Sequence, residues 1–439
     1  MFVAELFRYI LWALIFGGFL SLATLVWRWS DYTYIVKNIG GFLSNIKYVT
    51  VRIYPPASNP SSIAEMEAFF ARLSVVYGPK DPIDYYVDGT WHTSFSFEIH
   101  AKDGRIGIYC RLNAAHLSLF KSSMEASFPS TVVEETEDPF AQFPENFDNT
   151  TGVPGYGGMV GAELSYKGGE KLVLNPNYSN DILPLKSWRE FQRDETLAPI
   201  ADPITQLFTV LKALKPGVYA IVQYVTTPYA RDDAEAKVKD NWKKMFSLLK
   251  GKFSEESSYE LGEDTVRTPL VTEQEKNILN QISRKIAGQI YKVKIRVAIF
   301  QGDNNNKGIF SEIMSFFESW AGDIVGLAPV RFAKTWEKDN GARFGVIGPW
   351  FANVSNQIYW KVQSDFQRKI FYQGLITRDS SKISNARYFS VEALAGLFHF
   401  PITNEMTPMK NQMAEMLSGG FGDSDNVAVG GSTPNNLPT

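Results

Sequence analysis

The sequence predicts an α+β protein with an N-terminal transmembrane helix, two ferredoxin-like α/β sandwich modules and a disordered C-terminal tail. Three observations predict it: an uncharged apolar stretch near the start, a strand and helix order of β-α-β-β-α-β after it, and a polar, glycine-rich end. The chain has 439 residues, of which 44% are hydrophobic and 21% charged, as in globular proteins. Its net charge of −3 argues against a strongly basic nucleic-acid-coating protein.

The apolar stretch runs from Tyr9 to Trp27 without a charged residue, and Arg8 and Arg28 flank it. A helix of this length spans roughly 28 Å, close to the hydrocarbon thickness of a bilayer. We therefore expect residues 1–30 to anchor the chain in the lipid bilayer and residues 31–45 to form a juxtamembrane connector. A signal peptide cleaved after Ala23 is the alternative.

The distribution of basic residues predicts the orientation of this anchor. Arg28, Lys37, Lys47 and Arg52 follow the stretch, whereas Arg8 precedes it. Because basic residues concentrate on the cytoplasmic side, we expect a single-pass protein of the bacterial inner (cytoplasmic) membrane with its C-terminal body in the cytoplasm. The single cysteine cannot form an intramolecular disulfide, which agrees with a reducing compartment.

Residues 46–137 are predicted to form the first ferredoxin-like module. A strand rich in β-branched and aromatic residues, 46–54, precedes a helix over 62–76, and a hairpin follows over 93–112 with its turn at Asp103-Gly104. Asn113 is a predicted cap for a helix that ends near Phe128, before a last short strand.

Residues 138–158 are rich in proline, glycine and acidic side chains and are predicted to be a linker. Residues 159–401 form the predicted second α+β module. Its expected strands are 160–166, 218–225 and 290–301, and its expected helices are 203–214, 233–250, 273–288, 308–320 and 391–398. Residues 321–385 show no dominant period. Residues 402–439 are too polar to bury a core, so we expect a flexible tail.

No motif predicts a catalytic residue, a cofactor or a metal site. The loop Gly302–Gly308 lacks the lysine and hydroxyl order of a P-loop, and serine-hydrolase, zinc-protease and dinucleotide-binding motifs are absent from the sequence. The four histidines have no paired nucleophile, and Cys110 alternates with apolar residues. We therefore expect structural roles for these side chains and no enzymatic activity; a hydrolase with an unrecognised site is the least favoured class.

Two charged clusters have alternative interpretations. The acidic residues at 134, 135, 137 and 138 form either a solvated strand end or a cation site. Basic side chains on one face of strand 290–301 and on helix 233–250 form either a candidate surface for phosphate or an acidic partner, or an ordinary solvated face. These basic residues are Lys292, Lys294, Arg296, Lys237, Lys239, Lys243 and Lys244.

The segment Ser390–Pro401, SVEALAGLFHFP, resembles a string that ends in LFHFP and precedes the motor of membrane-anchored conjugation ATPases. These are type IV secretion coupling-protein-like members of the HerA/FtsK superfamily. The segments Asp84–Leu112 and Ala201–Val225 are also similar to parts of that family. The residues that match the string are Glu392, Leu397, Phe398, His399, Phe400 and Pro401.

In that family an ATP-binding motor with Walker motifs follows this region, and the present sequence contains no such motifs. The resemblance therefore implies a non-catalytic, membrane-anchored component of a type IV secretion or conjugation-like apparatus that docks a separate hexameric P-loop ATPase or assembles around it. The alternative is a membrane scaffold that self-associates into a ring or lattice without an ATPase. Contact with nucleic acid stays open in both hypotheses.

Overall fold

The computed structural model describes a set of ranges that includes most of the predicted strands and helices. The described residues are 2–55, 62–76, 83, 92–148, 152–169, 180–191, 202–229, 233–256, 272–301, 306–322, 324–330, 367–379 and 387–401. The predicted tail at 402–439 lies outside them. The chain divides into two units, residues 1–47 with 79–93, and residues 48–78 with 94–439.

The first unit contains one long helix, α1 (Phe2–Asn45), which continues without a break through the predicted connector at 31–45. Large apolar side chains such as Phe16, Phe19 and Trp27 are exposed on it. Among the residues whose side chains the structure describes, no helix combines the length and apolarity that crossing a bilayer requires. The predictions of a transmembrane anchor at 1–30 and of an inner-membrane location are therefore wrong.

In the second unit, residues 48–136 supply the first four strands of a sheet. They are β1 (Tyr48–Tyr54), β2 (Phe95–Lys102), β3 (Arg105–Asn113) and β4 (Val132–Thr136). They lie in the order β4-β1-β3-β2, and each neighbouring pair is antiparallel. The predicted hairpin turn is confirmed: Asp103 and Gly104 both have positive φ, 51° and 76°, as a two-residue hairpin turn requires.

Four further strands repeat this order in the second half. They are β5 (Gly158–Gly168), β6 (Tyr219–Tyr229), β7 (Ile290–Gln301) and β8 (Val325–Val330), arranged β6-β7-β5-β8. A short strand, β9 (Arg387–Ser390), pairs with the first residues of β7. The last residues of β7 pair with β5 on the same side. The two halves meet where β2 pairs with β6, from Phe95↔Thr226 to Lys102↔Tyr219.

The prediction of two separate ferredoxin-like modules is therefore wrong. The β2–β6 pairing joins both halves into one antiparallel sheet of nine described strands, which is larger than two such modules side by side. The error has a physical cause. Edge strands leave hydrogen-bonding groups unpaired, so two modules with free edges can pair with each other. The local sequence of β2 or β6 does not indicate which strand will lie beside it.

Most described helices of this unit pack on one face of the sheet. In chain order they are α2 (Ser62–Leu73), α3 (Leu117–Ser127), α4 (Trp188–Phe191), α5 (Pro203–Lys212), α6 (Asp233–Glu256), α7 (Glu273–Ala287), α8 (Asn306–Ser319), α9 (367–377) and α10 (Val391–Leu397). Predicted caps are confirmed at Asp202 for α5, at Ser390 for α10 and in the capping box of Thr272 and Glu275 for α7. The apolar core on this face includes Phe69, Phe70, Phe97 and Phe398.

Two segments cover the opposite face of the sheet: the described residues 138–148 with 152–157, and helix α9. The first segment, which the sequence predicts to be a linker, instead buries Phe140, Phe143 and Tyr156 against Tyr219 and the rest of a second aromatic cluster. Helix α9 adds Phe371, Tyr372 and Leu375 to the same cluster. The hydroxyl of Tyr372 donates to the carbonyl oxygen of Pro144 at 2.7 Å, so the two covering segments also bind each other.

Candidate functional site: a charged row across the sheet

Polar side chains form a row across the covered face, one from each of seven neighbouring strands. Strand register places them directly opposite each other. Because paired residues in neighbouring strands project to the same face, their side chains share one side of the sheet. We name this set the charged row, and from β4 to β5 it consists of Glu134, Arg52, Tyr109, Glu98, Gln223, Arg296 and Glu163.

Glu98 lies at the centre of the charged row and is fully buried. Its carboxylate accepts hydrogen bonds from Ser96 Oγ at 2.6 Å, His100 Nε2 at 2.9 Å and Gln223 Nε2 at 3.0 Å. Burial disfavours its charge, but the guanidinium of Arg378 and the hydrogen bond from His100 outweigh burial and hold the pKa of Glu98 well below its usual range. The surrounding hydrogen bonds and Arg378 therefore stabilise Glu98 as a carboxylate in the buried layer.

Arg378 supplies the countercharge from the loop after α9. Its Nε and Nη2 donate to the two oxygens of Glu98 at 2.8 and 3.1 Å, and its Nη1 and Nη2 both bind Asp138 at 2.6 Å. The guanidinium carbon lies 4.6 Å from the ring centre of Phe140. Burial opposes the charge of Arg378, but both carboxylates outweigh it and raise its pKa. This arginine therefore joins the sheet to both covering segments.

A second ion-pair group lies on β5 and β7. Arg296 Nε donates to Glu163 Oε1 at 2.9 Å, and Arg296 Nη1 donates to Gln223 Oε1 at 3.0 Å. Lys294 Nζ lies 3.5 Å from Glu163 Oε2. Burial lowers the pKa of Lys294 to about 8, although Glu163 partly offsets this effect. Gln223 also donates to Glu98, so its amide connects the two ion-pair groups at the junction of the halves.

This geometry changes the interpretation of the candidate basic surface. Lys292, Lys294 and Arg296 do share one face of β7, as the alternation predicts, and Tyr291, Val293 and Ile295 lie in the core on the other. Lys294 and Arg296, however, are 2% and 0% exposed and pair with Glu163. These two residues cannot present charge to a partner, because the two covering segments exclude solvent from their face of the sheet.

The lysines predicted on helix α6 lie apart from that buried group. Lys237, Lys243 and Lys244 are exposed, and Lys243 lies 3.6 Å from Asp240 on the same helix. Lys239 is half-buried and donates to the carbonyl oxygen of Gly288 at 2.9 Å. The helix buries Trp242, Met245, Leu249 and Phe253 on its other side. Among the seven candidate basic residues, the exposed ones therefore lie on this helix.

The residues that match the family string lie in the core of the helical face. Phe398 contacts the rings of Phe97 and Tyr224, with centroids 5.1 and 5.6 Å away, and Phe400 contacts Phe128 at 4.8 Å. The hydroxyl of Tyr224 donates to the carbonyl oxygen of Leu397 at 2.8 Å. Pro401 is buried, whereas Glu392 at the start of α10 binds Arg189 at 2.6 Å.

His399 is buried between two oxygen acceptors. Its Nδ1 faces the carbonyl oxygen of Ala395 at 3.0 Å and its Nε2 faces Asp202 Oδ1 at 2.8 Å. Both oxygens are hydrogen-bond acceptors, so each can accept a proton that the facing ring nitrogen carries. Asp202 also caps α5 through the backbone N–H of Ile204. His399 therefore ties the end of α10 to the start of α5.

The charges within the two ion-pair groups described above are matched. Glu98, Asp138 and Glu163 balance Arg378, Arg296 and Lys294, and each group has a partner within 3.5 Å. His100 is satisfied by the tautomer that donates from Nε2 to Glu98 and accepts at Nδ1 from Tyr219, 2.8 Å away. Such closed pairing orders the fold, whereas a general acid or base needs access to substrate. No cluster with metal-binding composition occurs among the described residues.

Sequence patterns do not identify several of these residues as site residues, and they give others a different role. Glu98, Glu163 and Arg378 belong to no recognisable motif. Asp138 belongs to the acidic cluster for which a solvated strand end and a cation site are the alternatives, yet it binds Arg378, whereas Glu134 and Glu135 are exposed. The available signal was a charge at alternate positions within otherwise apolar strands, since a charged residue in a buried strand requires a partner.

The comparisons with known proteins add little to this geometry. No protein-family model matches the chain, and no curated protein matches it. A solved structure of a berberine bridge enzyme variant aligns with 76% of this chain at 11% identity and a TM-score of 0.20. The aligned part spans about half, 53%, of that enzyme's chain. A similarity this low supports no conclusion about fold or activity.

Proposed function

We propose that this protein is a non-catalytic docking component of a type IV secretion or conjugation-like apparatus, and that its partner is a separate hexameric P-loop ATPase. The observation that carries the proposal is the position of the family string. Leu397, Phe398 and His399 are held by the core, by Tyr224 and by Asp202. In the family that the sequence resembles, this string precedes the motor, so a rigidly held string would fix the point at which a motor docks.

The charged row supports a non-catalytic role. Its buried carboxylates and guanidinium groups already pair with one another, and Gln223 links them across the junction of the two halves. A platform that bears load from an ATPase benefits from such links, because buried ion pairs resist separation of the elements they join. The exposed lysines of α6 offer a charged surface for the partner.

The test uses the full chain as bait in cells of the source organism. Wild-type protein should recover a P-loop ATPase, and adding purified wild-type chain should change the ATP hydrolysis rate of that ATPase. A bait with Lys237, Lys243 and Lys244 each changed to glutamate should recover less of it, whereas the control Lys276→Glu on α7 should recover as much as wild type. Hydrolysis of ATP by the purified chain alone, or consistent failure to recover any ATPase, would refute the proposal.

Self-association is the second candidate function, and the exposed apolar side chains of α1 favour it. Contiguous apolar surface on this scale typically marks an interaction site, and Phe16, Phe19 and Trp27 are each more than 60% exposed. Sedimentation of the full chain should then show an oligomer that Phe19→Glu dissociates and that Ser21→Glu, exposed on the opposite side of α1, leaves intact. A wild-type chain that stays monomeric at high concentration would exclude this function.

A further inference from the structure

The two halves of the sheet differ in how their second and third strands are connected. In the first half, the two-residue turn Asp103-Gly104 joins β2 to β3. In the second half, residues 230–289 separate β6 from β7 and include helices α6 and α7. The first half forms the same strand order without such helices. Because connecting segments tolerate insertions and often carry binding residues, this insertion is a candidate for an added binding surface.

Helix α6 packs on the protein with one side only. That side buries four large apolar side chains, Trp242, Met245, Leu249 and Phe253. The ring of Trp242 also meets the ring of Tyr388 on β9, with the centroids 6.3 Å apart. These contacts fix the rotation of α6 about its axis and so determine which residues face solvent.

The solvent side of α6 carries a stripe of four exposed residues along the helix axis. They are Lys237, Asn241, Lys244 and Leu248. Their spacing of three or four positions places them on one face, and at 1.5 Å per residue the stripe is roughly 16 Å long. Among the residues that the structure describes, neither lysine of the stripe has an ion-pair partner, and Asp240 beside it pairs with Lys243 at 3.6 Å. The stripe therefore presents positive charge.

Leu248 gives this basic stripe an apolar end. Its side chain is 46% exposed and lies one turn after Lys244. A single exposed leucine is ordinary on a protein surface, but this one lies in line with two lysines whose charges are open to a partner. An apolar anchor beside a polar, solvent-exposed rim is the arrangement that protein interfaces use.

We propose that this stripe binds an acidic amphipathic helix of the partner ATPase. Helices are commonly recognised through anchors at positions i, i+3 or i+4 and i+7. Two carboxylates seven positions apart would match Lys237 and Lys244, and an apolar side chain one turn further would contact Leu248. Opposite charge selects an acidic segment over a basic one. The inference rests on the docking function proposed above and names the chemistry of its contact.

The test measures association and dissociation rates between the immobilised full chain and the ATPase that it recovers, at low and high ionic strength. Leu248→Ala should weaken binding about tenfold, mainly through faster dissociation, because it removes the apolar anchor. Lys244→Gln should weaken binding about fivefold, mainly through slower association, and should reduce the dependence on salt. Both sites are exposed, so the melting temperatures of the variants should match that of the wild-type chain.

Two control variants match these substitutions elsewhere on the chain. Leu119→Ala shortens a leucine that is 39% exposed on α3, and Lys276→Gln removes an exposed lysine on α7. Both should bind the ATPase as the wild-type chain does. Equal weakening by Lys244→Gln and Lys276→Gln would show a general charge effect and overturn the inference.

The remaining outcomes separate this inference from the docking function. Unchanged affinity of Leu248→Ala and Lys244→Gln for a recovered ATPase would overturn the inference and leave docking intact. Failure to recover any ATPase would refute both. Binding to vesicles of equimolar phosphatidylcholine and phosphatidylserine that Lys244→Gln abolishes, with ATPase binding unchanged, would assign the stripe to a lipid surface and overturn the inference.

Discussion

On the helical face of the sheet, β2 presents Phe95, Phe97 and Ile99, whereas on the covered face the same strand presents Ser96, Glu98 and His100. All six side chains are buried. The first set packs against helices as an ordinary apolar core, and the second is satisfied by hydrogen bonds to other polar groups. Burial alone therefore does not require apolar residues; it requires that each polar group find a partner.

The two faces also differ in what removes them from solvent. Helices such as α2 and α3 pack on the first face and follow their strands closely in the sequence. Residues 138–148 with 152–157 and helix α9 cover the second face. Arg378, which follows α9, pairs with Glu98, 280 residues earlier. The second face thus depends on contacts between distant parts of the chain, and substitutions can distinguish the two arrangements.

The largest effect is expected on the helical face at Phe398. Phe398→Ala removes a fully buried ring from contacts with Phe97 and Tyr224 and leaves a cavity, so the free energy of unfolding should fall by about 4 kcal/mol. Urea denaturation monitored by circular dichroism measures this change. Leu119→Ala, at a partly exposed site, should cost less than about 1 kcal/mol. Equal costs at the two sites would contradict the core position of the family string.

On the covered face, Glu98→Gln should lower the free energy of unfolding by about 3 kcal/mol. The substitution keeps the shape of the side chain but leaves Arg378 without one of its two carboxylates. The control is Glu134→Gln, the exposed end of the charged row, which should change stability by less than about 0.5 kcal/mol. A Glu98→Gln variant as stable as the control would show that the row contributes little.

The buried lysines predict a rise in stability at alkaline pH. Burial lowers the pKa of Lys294 and Lys285 to about 8 in the folded state, below the ordinary value near 10.5. Between these values the unfolded chain binds more protons, so each lysine raises the free energy of unfolding by about 1 kcal/mol from pH 8 to pH 9. Lys285→Met should reduce this increase in urea titrations at the two pH values. An unchanged pH dependence in the variant would refute the assignment.

The smallest effect is expected for the exposed lysines. Lys244→Gln on α6 should change the free energy of unfolding by less than about 0.5 kcal/mol, because its charge is solvated. Lys294→Gln removes a cation that faces Glu163 inside the protein and should destabilise by more than about 1 kcal/mol. Thermal unfolding of the two variants makes the comparison. Similar melting temperatures would mean that the two lysines share one environment.

The sequence by itself determined the local elements of this protein. The alternation in 93–112 predicted the hairpin, Asp103-Gly104 its turn, and Thr272, Asp202 and Ser390 the starts of three helices. These features depend on neighbouring residues, through backbone geometry and hydrogen bonds over three or four positions, and so a sequence can report them. The alternation in β7 also assigned Lys294 and Arg296 correctly to one face of the strand.

Only the tertiary structure decided that this face of β7 is buried. The pairing of β2 with β6 joined two predicted modules into one sheet, and a predicted linker together with a helix from residues 367–377 covered the charged row. Each event brings together residues far apart in the chain, so its free energy depends on groups that no local window contains. For the same reason, Glu98, Asp138 and Arg378 form a site in the folded protein although the sequence shows no motif that links them.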